Sequence, residues 1–486
     1  MGVMRFSFQP PELAERWPAL RDAFLTGFDN APWRTWVDLQ PGLLQCISEI
    51  SESSALHVYW PVPELGGLGL VTTTLADRPE PYDLNVELIR GKMSRVCEIQ
   101  RQLEEEGFAF GTAARQQLRD AMKQFLHLLY YASSTEVPEL SGECLRKLVL
   151  LGEALIRAYA RTVRQQRRAV GRMPLTLVRV SPEDLLSVDP EALAAHFGAV
   201  QILVPWSELE PEQGEFAWER LDEAVARCER AGLNVGVGPL VCWEKIALPD
   251  WLWLWADNFE AVCNFTAQFV RAVLRRYGSR VRIWELASRL NCGPALLYDM
   301  NERLQLAAII LQAANQLAGR SFYYITIGQP WSEYAARLDD CGSFFFADTL
   351  SRSDLALKGL GVELAYGYSS GVSWSRDLLD TTFMLEHFAS LELPLVISLA
   401  APITPQTDGS STIVSTTQTN GTHLASSCRS VQDWLEGVME VVASRPNVAA
   451  VVWSHLSDRH LAMYPQAALL TPDGQLSPAL EHFERS

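Results

Sequence analysis

From residue 175 onward, short apolar runs alternate with longer stretches of helical periodicity. Strands are predicted at residues 175–180, 200–205, 234–241, 281–287, 322–327, 360–365, 395–400 and 448–453, and helices at 218–231, 258–277, 301–317, 376–391 and 431–443. A buried run followed by an amphipathic helix is the pattern of a parallel sheet wrapped by helices. Eight such units within residues 173–486 predict an α/β fold, a (β/α)8 TIM barrel, whose functional face is the C-terminal ends of its strands.

Upstream the rhythm differs. Residues 1–80 carry strand-like runs at 56–60 and 68–74, broken by Pro61, Pro63, Gly66 and Gly67, which predicts a small N-terminal mixed β-cap. Residues 81–172 read as a helical domain, clearest where Leu145, Leu148, Val149, Ile156, Tyr159 and Val163 keep helical spacing. This segment is where an oligomer would form. Its Arg-rich end (Arg161, Arg164, Arg167, Arg168, Arg172) is read as cations suited to the last turns of a helix, ahead of a basic patch for an acidic partner. Residues 402–428 are rich in Ser and Thr and contain Asp408-Gly409 and Asn420-Gly421, a long loop on the functional face that serves as a lid or is a tolerated insertion.

Composition narrows the function. A net charge of -17 would repel a phosphate backbone, so nucleic acid is not the expected partner. No apolar run approaches the roughly 18 residues needed to span a bilayer, so no membrane role is expected. The nine cysteines form no C-x-x-C pair, and no cofactor or metal motif emerges; His455, Asp458 and His460 have a loop spacing without a further ligand. The odd cysteine count and the absence of a secretory pattern in the first ten residues give a cytoplasmic expectation.

Several motifs in order carry a resemblance. V-P-W-S-E-L-E-P-E-Q-G-E-F-A-W-E-R-L-D (204–222), A-G-L-N-V-G-V-G-P-L-V (231–241), L-P-D-W-L (248–252), R-R-Y-G-S-R-V-R-I-W-E-L-A-S-R-L-N (275–291), L-E-L-P-L-V-I-S-L (391–399), V-V-W-S-H-L-S-D (451–458) and A-L-L-T-P-D-G-Q-L-S-P-A-L (468–480) resemble retaining glycoside hydrolases of the large barrel clan, closest to family 10, the xylanases. The segment T-T-T-L-A-D-R-P-E-P-Y-D-L-N-V-E-L-I-R-G-K (72–92) is similar to bacterial family 10-like proteins of the planctomycete type.

Retaining hydrolysis needs an acid/base and a nucleophile, two carboxylates about 5–5.5 Å apart. The resemblance implies Asn-Glu after the fourth strand and Glu in the seventh; here those places hold Ser288-Arg289 and Ser398-Leu399. An Arg cannot give up a proton near neutral pH, and Leu has no nucleophile. The resemblance also implies a Lys where Pro205 stands and a His where Pro239 stands. The expected protein is therefore a degenerate family 10-like barrel that binds carbohydrate or acts as a scaffold. Two alternatives are an O-glycosidase with relocated carboxylates, acting on a plant-type or bacterial polysaccharide, and a structural or oligomerisation protein.

For relocated chemistry the candidates are Glu244, Glu285, Glu363 and Asp458. A carboxylate inside an apolar strand is costly unless paired, so Glu285 is expected to find a cation such as Arg289 or Arg282. Glu208 and Glu210 are read as solvated loop acids. For sugar contact, the candidates are the aromatic frame Trp206, Trp243, Trp284, Trp331, Tyr366 and Trp453, with Ser288, Arg289 and Gln329 as hydrogen-bonding groups; Glu333 and Tyr368 add to the same rim.

Overall fold

The computed structural model describes residues 1–131, 133, 135–338, 340–353, 355–368, 371–403, 430–458, 463–470, 477 and 483. Residues 404–428 of the predicted loop, and His460, lie outside them.

The barrel is closed. Its eight parallel strands are Leu175–Val180, Ala199–Ile202, Asn234–Val237 continued by Val241–Cys242, Ile283–Ser288, Phe322–Ile327, Leu360–Ala365, Leu395–Ala400 and Val448–Trp453. Each pairs with the next in sequence, the eighth returning to the first. Five of the eight predicted ranges match in full. The second strand stops at Ile202 instead of 205 because Pro205 opens a short helix, Trp206–Leu209.

The third strand splits at Gly238. Its φ is +131°, and a Cβ there would lie 2.2 Å from the Glu285 carbonyl oxygen, so only glycine fits between the third and fourth strands. The fourth strand begins two residues later than predicted, reaches Ser288, and shifts register between Glu285 and Ala287 against the fifth.

The cap holds two four-stranded sheets. One orders Thr35–Gln40, Leu43–Ser48, Gly2–Ser7 and Tyr82–Asp83; the other orders Pro32–Trp33, Phe24–Thr26, Ala55–Val62 and Gly66–Val71. Asp83 then caps helix Leu84–Glu105 by accepting from the Val86 amide. Helices Thr112–Tyr131 and Val137–Ala169 complete the segment.

The long helix Val137–Ala169 serves two cores. Leu145, Leu148 and Val149 pack with the cap, whereas Leu151, Leu155 and Ile156 join the barrel core together with Val96, Ile99 and Leu103. Its Arg-rich end reaches the barrel: Arg161 donates to Glu440 at 2.6 Å and Arg167 to the Ala443 carbonyl at 2.9 Å. These two cations join the helix to helix Val431–Ser444, a role that neither a free basic patch nor the helix's own C-terminal turns would give them.

Candidate functional site

Two polar layers lie at the C-terminal end of the barrel. The deeper one centres on Glu285, which is fully buried. Arg179, from the first strand, donates Nη2 to both carboxylate oxygens at 2.9 and 2.8 Å. Thr326 Oγ1 donates to Oε1 at 2.5 Å, and Gln201 Nε2 donates to Oε2. Tyr324 donates to Gln201 at 2.9 Å, and Arg179 Nη1 to Ser398 Oγ at 3.0 Å. The Glu285 partner is thus Arg179, not Arg289 or Arg282. Four donor contacts on two oxygens leave this carboxylate committed to holding strands together.

The upper layer centres on Arg289, which is 1% exposed. Its Nε donates to Glu244 at 2.7 Å, its Nη1 to Glu363 at 2.6 Å and its Nη2 to the Gly371 carbonyl at 2.8 Å. Its φ of +58° is uncommon for a side chain of this size, and backbone bonds on both sides fix it, from Arg289 N to Thr326 O at 3.0 Å and from Gly293 N to Arg289 O at 2.7 Å. The strand end is built to aim this guanidinium inward.

The electrostatics follow from burial. Burial works against the Arg289 charge, but Glu363, Glu244 and neighbouring groups outweigh it and hold the guanidinium charged. Burial also pushes the Glu244 carboxyl above its ordinary range; Arg289 opposes the shift and Glu363 adds to it. Two carboxylates share one cation, so Glu244 takes up a proton more readily than a free glutamate.

A cavity of about 110 Å³ opens beside both layers. Its polar lining includes Glu208, Glu244, Ser288, Glu363, Ser454 and His455; Val204, Pro205, Pro239, Ile246 and Met463 give it an apolar wall. Among the described residues the Ser454 hydroxyl is buried without a hydrogen-bond partner, and the Ser288 hydroxyl lies against the Cys242 thiol. A buried hydroxyl facing a polar cavity is a place where a ligand hydroxyl or water satisfies an otherwise costly group.

A family model, Glycosyl hydrolase family 10, matches residues 179–288, from the paired Arg179 to the strand-end Ser288. Over that span the chain is similar to family 10. Solved structures to which the chain is similar include an endo-1,4-beta-xylanase from Caldicellulosiruptor owensensis, at 14% identity, TM-score 0.47, and 64% of this chain against 97% of that one. Xylanase 10B from Thermotoga petrophila RKU-1 gives 13%, 0.47, 67% and 95%, and xylanase B from Clostridium stercorarium F9 gives 15%, 0.46, 66% and 98%. No match was found among curated proteins.

The family 10-like span contains much of the expected aromatic frame, and there the structure corrects the reading. Trp206, Trp243, Trp284 and Trp453 are each 1% exposed or less. Trp206 stacks on Phe269 at 4.6 Å and donates to Glu210 at 2.7 Å; Trp453 donates to the Ala467 carbonyl at 2.7 Å. These rings are core, not platforms. Tyr366 is buried against Trp434 with centroids 5.1 Å apart.

Gln329 and Ser332 are both at positive φ, and Trp331 between them lines a different cavity. Glu333 binds Arg376 at 3.0 Å and Ser373 at 2.8 Å, a junction outside the rim. Tyr368 donates to the Pro465 carbonyl at 3.0 Å. Glu210 is buried, accepting from Trp206 and the Gly214 amide at 2.8 Å, and is not a solvated loop acid; Glu208 is exposed and lines the barrel-top cavity. Asp458 lies 2.7 Å from His455. Among the described residues no group of three His, Cys, Asp or Glu could hold a metal ion.

Arg179, Gln201, Thr326 and Ser454 escaped the sequence reading. For Arg179 and Gln201 a signal existed: each is a polar residue inside an apolar strand, the same pattern that singled out Glu285.

Proposed function

We propose that this protein is a glycoside hydrolase family 10-like barrel that binds carbohydrate at its strand ends and does not cleave it. The observation that carries the reading is the Arg289 clamp. Arg289 stands where the resemblance places the acid/base, and its guanidinium engages two of the carboxylates that line the cavity, Glu244 and Glu363. A nucleophile held by a charged guanidinium loses much of its reactivity, and a retained Arg cannot protonate a leaving group. Leu399, at the other implied position, is fully buried in the seventh strand.

The cavity's chemistry supports a sugar. Serine hydroxyls, carboxylates and a histidine face an apolar wall, so hydroxyls can be bonded on one side while a ring's C–H face is covered on the other. Its volume admits a cluster of waters, each needing about 10–15 Å³, or a single ring in their place.

Calorimetric titration with xylo-, cello- and manno-oligosaccharides, run beside reducing-sugar and aryl-glycoside assays, tests the proposal. Binding without product release, weakened in Ser454→Leu, is the expected result. Hydrolysis that disappears in Glu244→Gln or Glu363→Gln would overturn it and make the relocated-carboxylate enzyme correct.

A further inference from the structure

A cavity larger than the barrel-top one lies elsewhere. It occupies the seam where the cap, helix Leu84–Glu105 and the barrel meet, and measures about 280 Å³. Cavities between structural units are favoured ligand sites, and about 300 Å³ is the lower end of their usual size. We infer that this seam is a second binding site, for a small neutral saccharide of one or two rings, built by Trp331, Phe345 and Phe383 with Arg95, Arg376 and His57.

Three observations select that chemistry. The first is the aromatic wall: Trp331, Phe344 and Phe383 are partly exposed and Phe345 is 53% exposed, so ring faces and edges are open to an occupant. The cations lie against the same rings, Arg376 at 5.3 Å from Trp331 and Arg95 at 5.5 Å from Phe383. This fixes the rings and guanidiniums as one surface.

The second is charge balance. Lys92 is paired with Asp377 and Asp380, Arg95 with Asp380 at 2.5 Å, and Arg376 with Glu333 at 3.0 Å, so three cations meet three carboxylates. Asp29 adds negative charge at the rim, where Asp348 is paired with Arg352 at 2.7 Å. An anionic ligand would find its guanidiniums already neutralised and acids nearby, which favours an uncharged one.

The third is unspent hydrogen bonding. Among the described residues His57 Nδ1 is buried without a partner, while Nε2 lies 3.2 Å from Thr26 Oγ1. Burial holds this ring neutral, aided by Arg376 and Arg95, so Nδ1 is a donor or an acceptor according to tautomer. Arg95 uses Nη1 on Asp380 and has further N–H groups at a partly exposed position. A purely apolar occupant would leave these groups desolvated. A hydroxylated ring satisfies them and covers the aromatic wall.

This site does not depend on the barrel-top reading, and one experiment separates them. The intact protein is titrated calorimetrically with xylose, glucose, xylobiose and cellobiose, and with benzoate as an anionic aromatic control. The same titrations are run on Trp331→Ala, Phe345→Ala and Ser454→Leu. A saccharide should bind at a site whose affinity falls about tenfold or more in both aromatic variants and which Ser454→Leu leaves in place, that variant weakening only the barrel-top site. Because Phe345 is half-exposed, its variant keeps the fold, checked by circular dichroism, and carries the test if Trp331→Ala does not fold. Saccharide binding lost only in Ser454→Leu, binding of benzoate alone, or no binding of any probe would each overturn the seam site.

Discussion

A single residue, Arg289, decides what the barrel mouth can do. Breaking a buried ion pair by removing one partner costs about 3–5 kcal/mol, because the other charge stays behind unpaired. Arg289→Ala strands both Glu244 and Glu363 and should destabilise by that order, read as a lower urea midpoint. Arg289→Glu, the change that would restore the carboxylate implied by the resemblance, places a third acid beside two others; a larger loss of stability than in Arg289→Ala, and no hydrolysis, is expected. In the deeper layer, Glu285→Gln keeps the shape but leaves Arg179 uncompensated, and a comparable loss in the same denaturation experiment should follow. An unchanged midpoint there would mean that water, not Glu285, carries the Arg179 charge.

At the scale of elements, close approach of backbones sets the arrangement. Helix Leu84–Glu105 lies so tightly on strand Gly66–Val71 that a Cβ on Gly91 would stand 2.2 Å from the Val71 carbonyl oxygen. Alanine is ordinarily better than glycine inside a helix by roughly 0.5–1 kcal/mol. Here the clash is with backbone, which cannot rotate away, so Gly91→Ala should destabilise by about 1–3 kcal/mol. A thermal melt showing a gain would refute the packing argument. The element pattern itself was plain in the sequence, because runs such as 322–327 and 395–400 are buried on both faces and read as continuous apolar strands. Boundaries failed where a local feature intervened: Pro205 starting a helix, or Gly238 dividing a strand.

For the whole molecule, the long helix makes cap and barrel interdependent. Leu151, Leu155 and Ile156 contribute to the barrel core, so the barrel expressed from residue 173 alone should expose apolar surface and aggregate, whereas the full chain should unfold in one transition by calorimetry. The joint also carries a pH response. Burial, with Asp380 nearby, pushes the Asp377 carboxyl up from 3.8 to about 6, against the pull of Lys92. The folded chain therefore binds this proton more tightly than the unfolded chain, and the stability it confers declines as pH rises from 3.8 to about 6. Asp380 has the opposite sign: burial opposes its charge, but Lys92 and Arg95 outweigh it and hold the carboxyl below the ordinary range, so its contribution is lost only at lower pH. Asp377→Asn retains a capping side chain for helix Leu378–Ala389. It should flatten the slope of stability between pH 4 and 6 in urea titrations, where the wild type declines.

The sequence by itself determined the (β/α)8 architecture, the β-cap, the helices and the absence of a proton donor at residue 289. Those features rest on local periodicity and residue chemistry, which one strand or one turn can display. Only the tertiary structure decided that Glu285 pairs with Arg179, that Arg289 binds Glu244 and Glu363, that the tryptophans are core, and that the seam holds a cavity of its own. Each of these joins residues tens to hundreds of positions apart, and which side of a ring is covered depends on neighbours that no single stretch of chain contains.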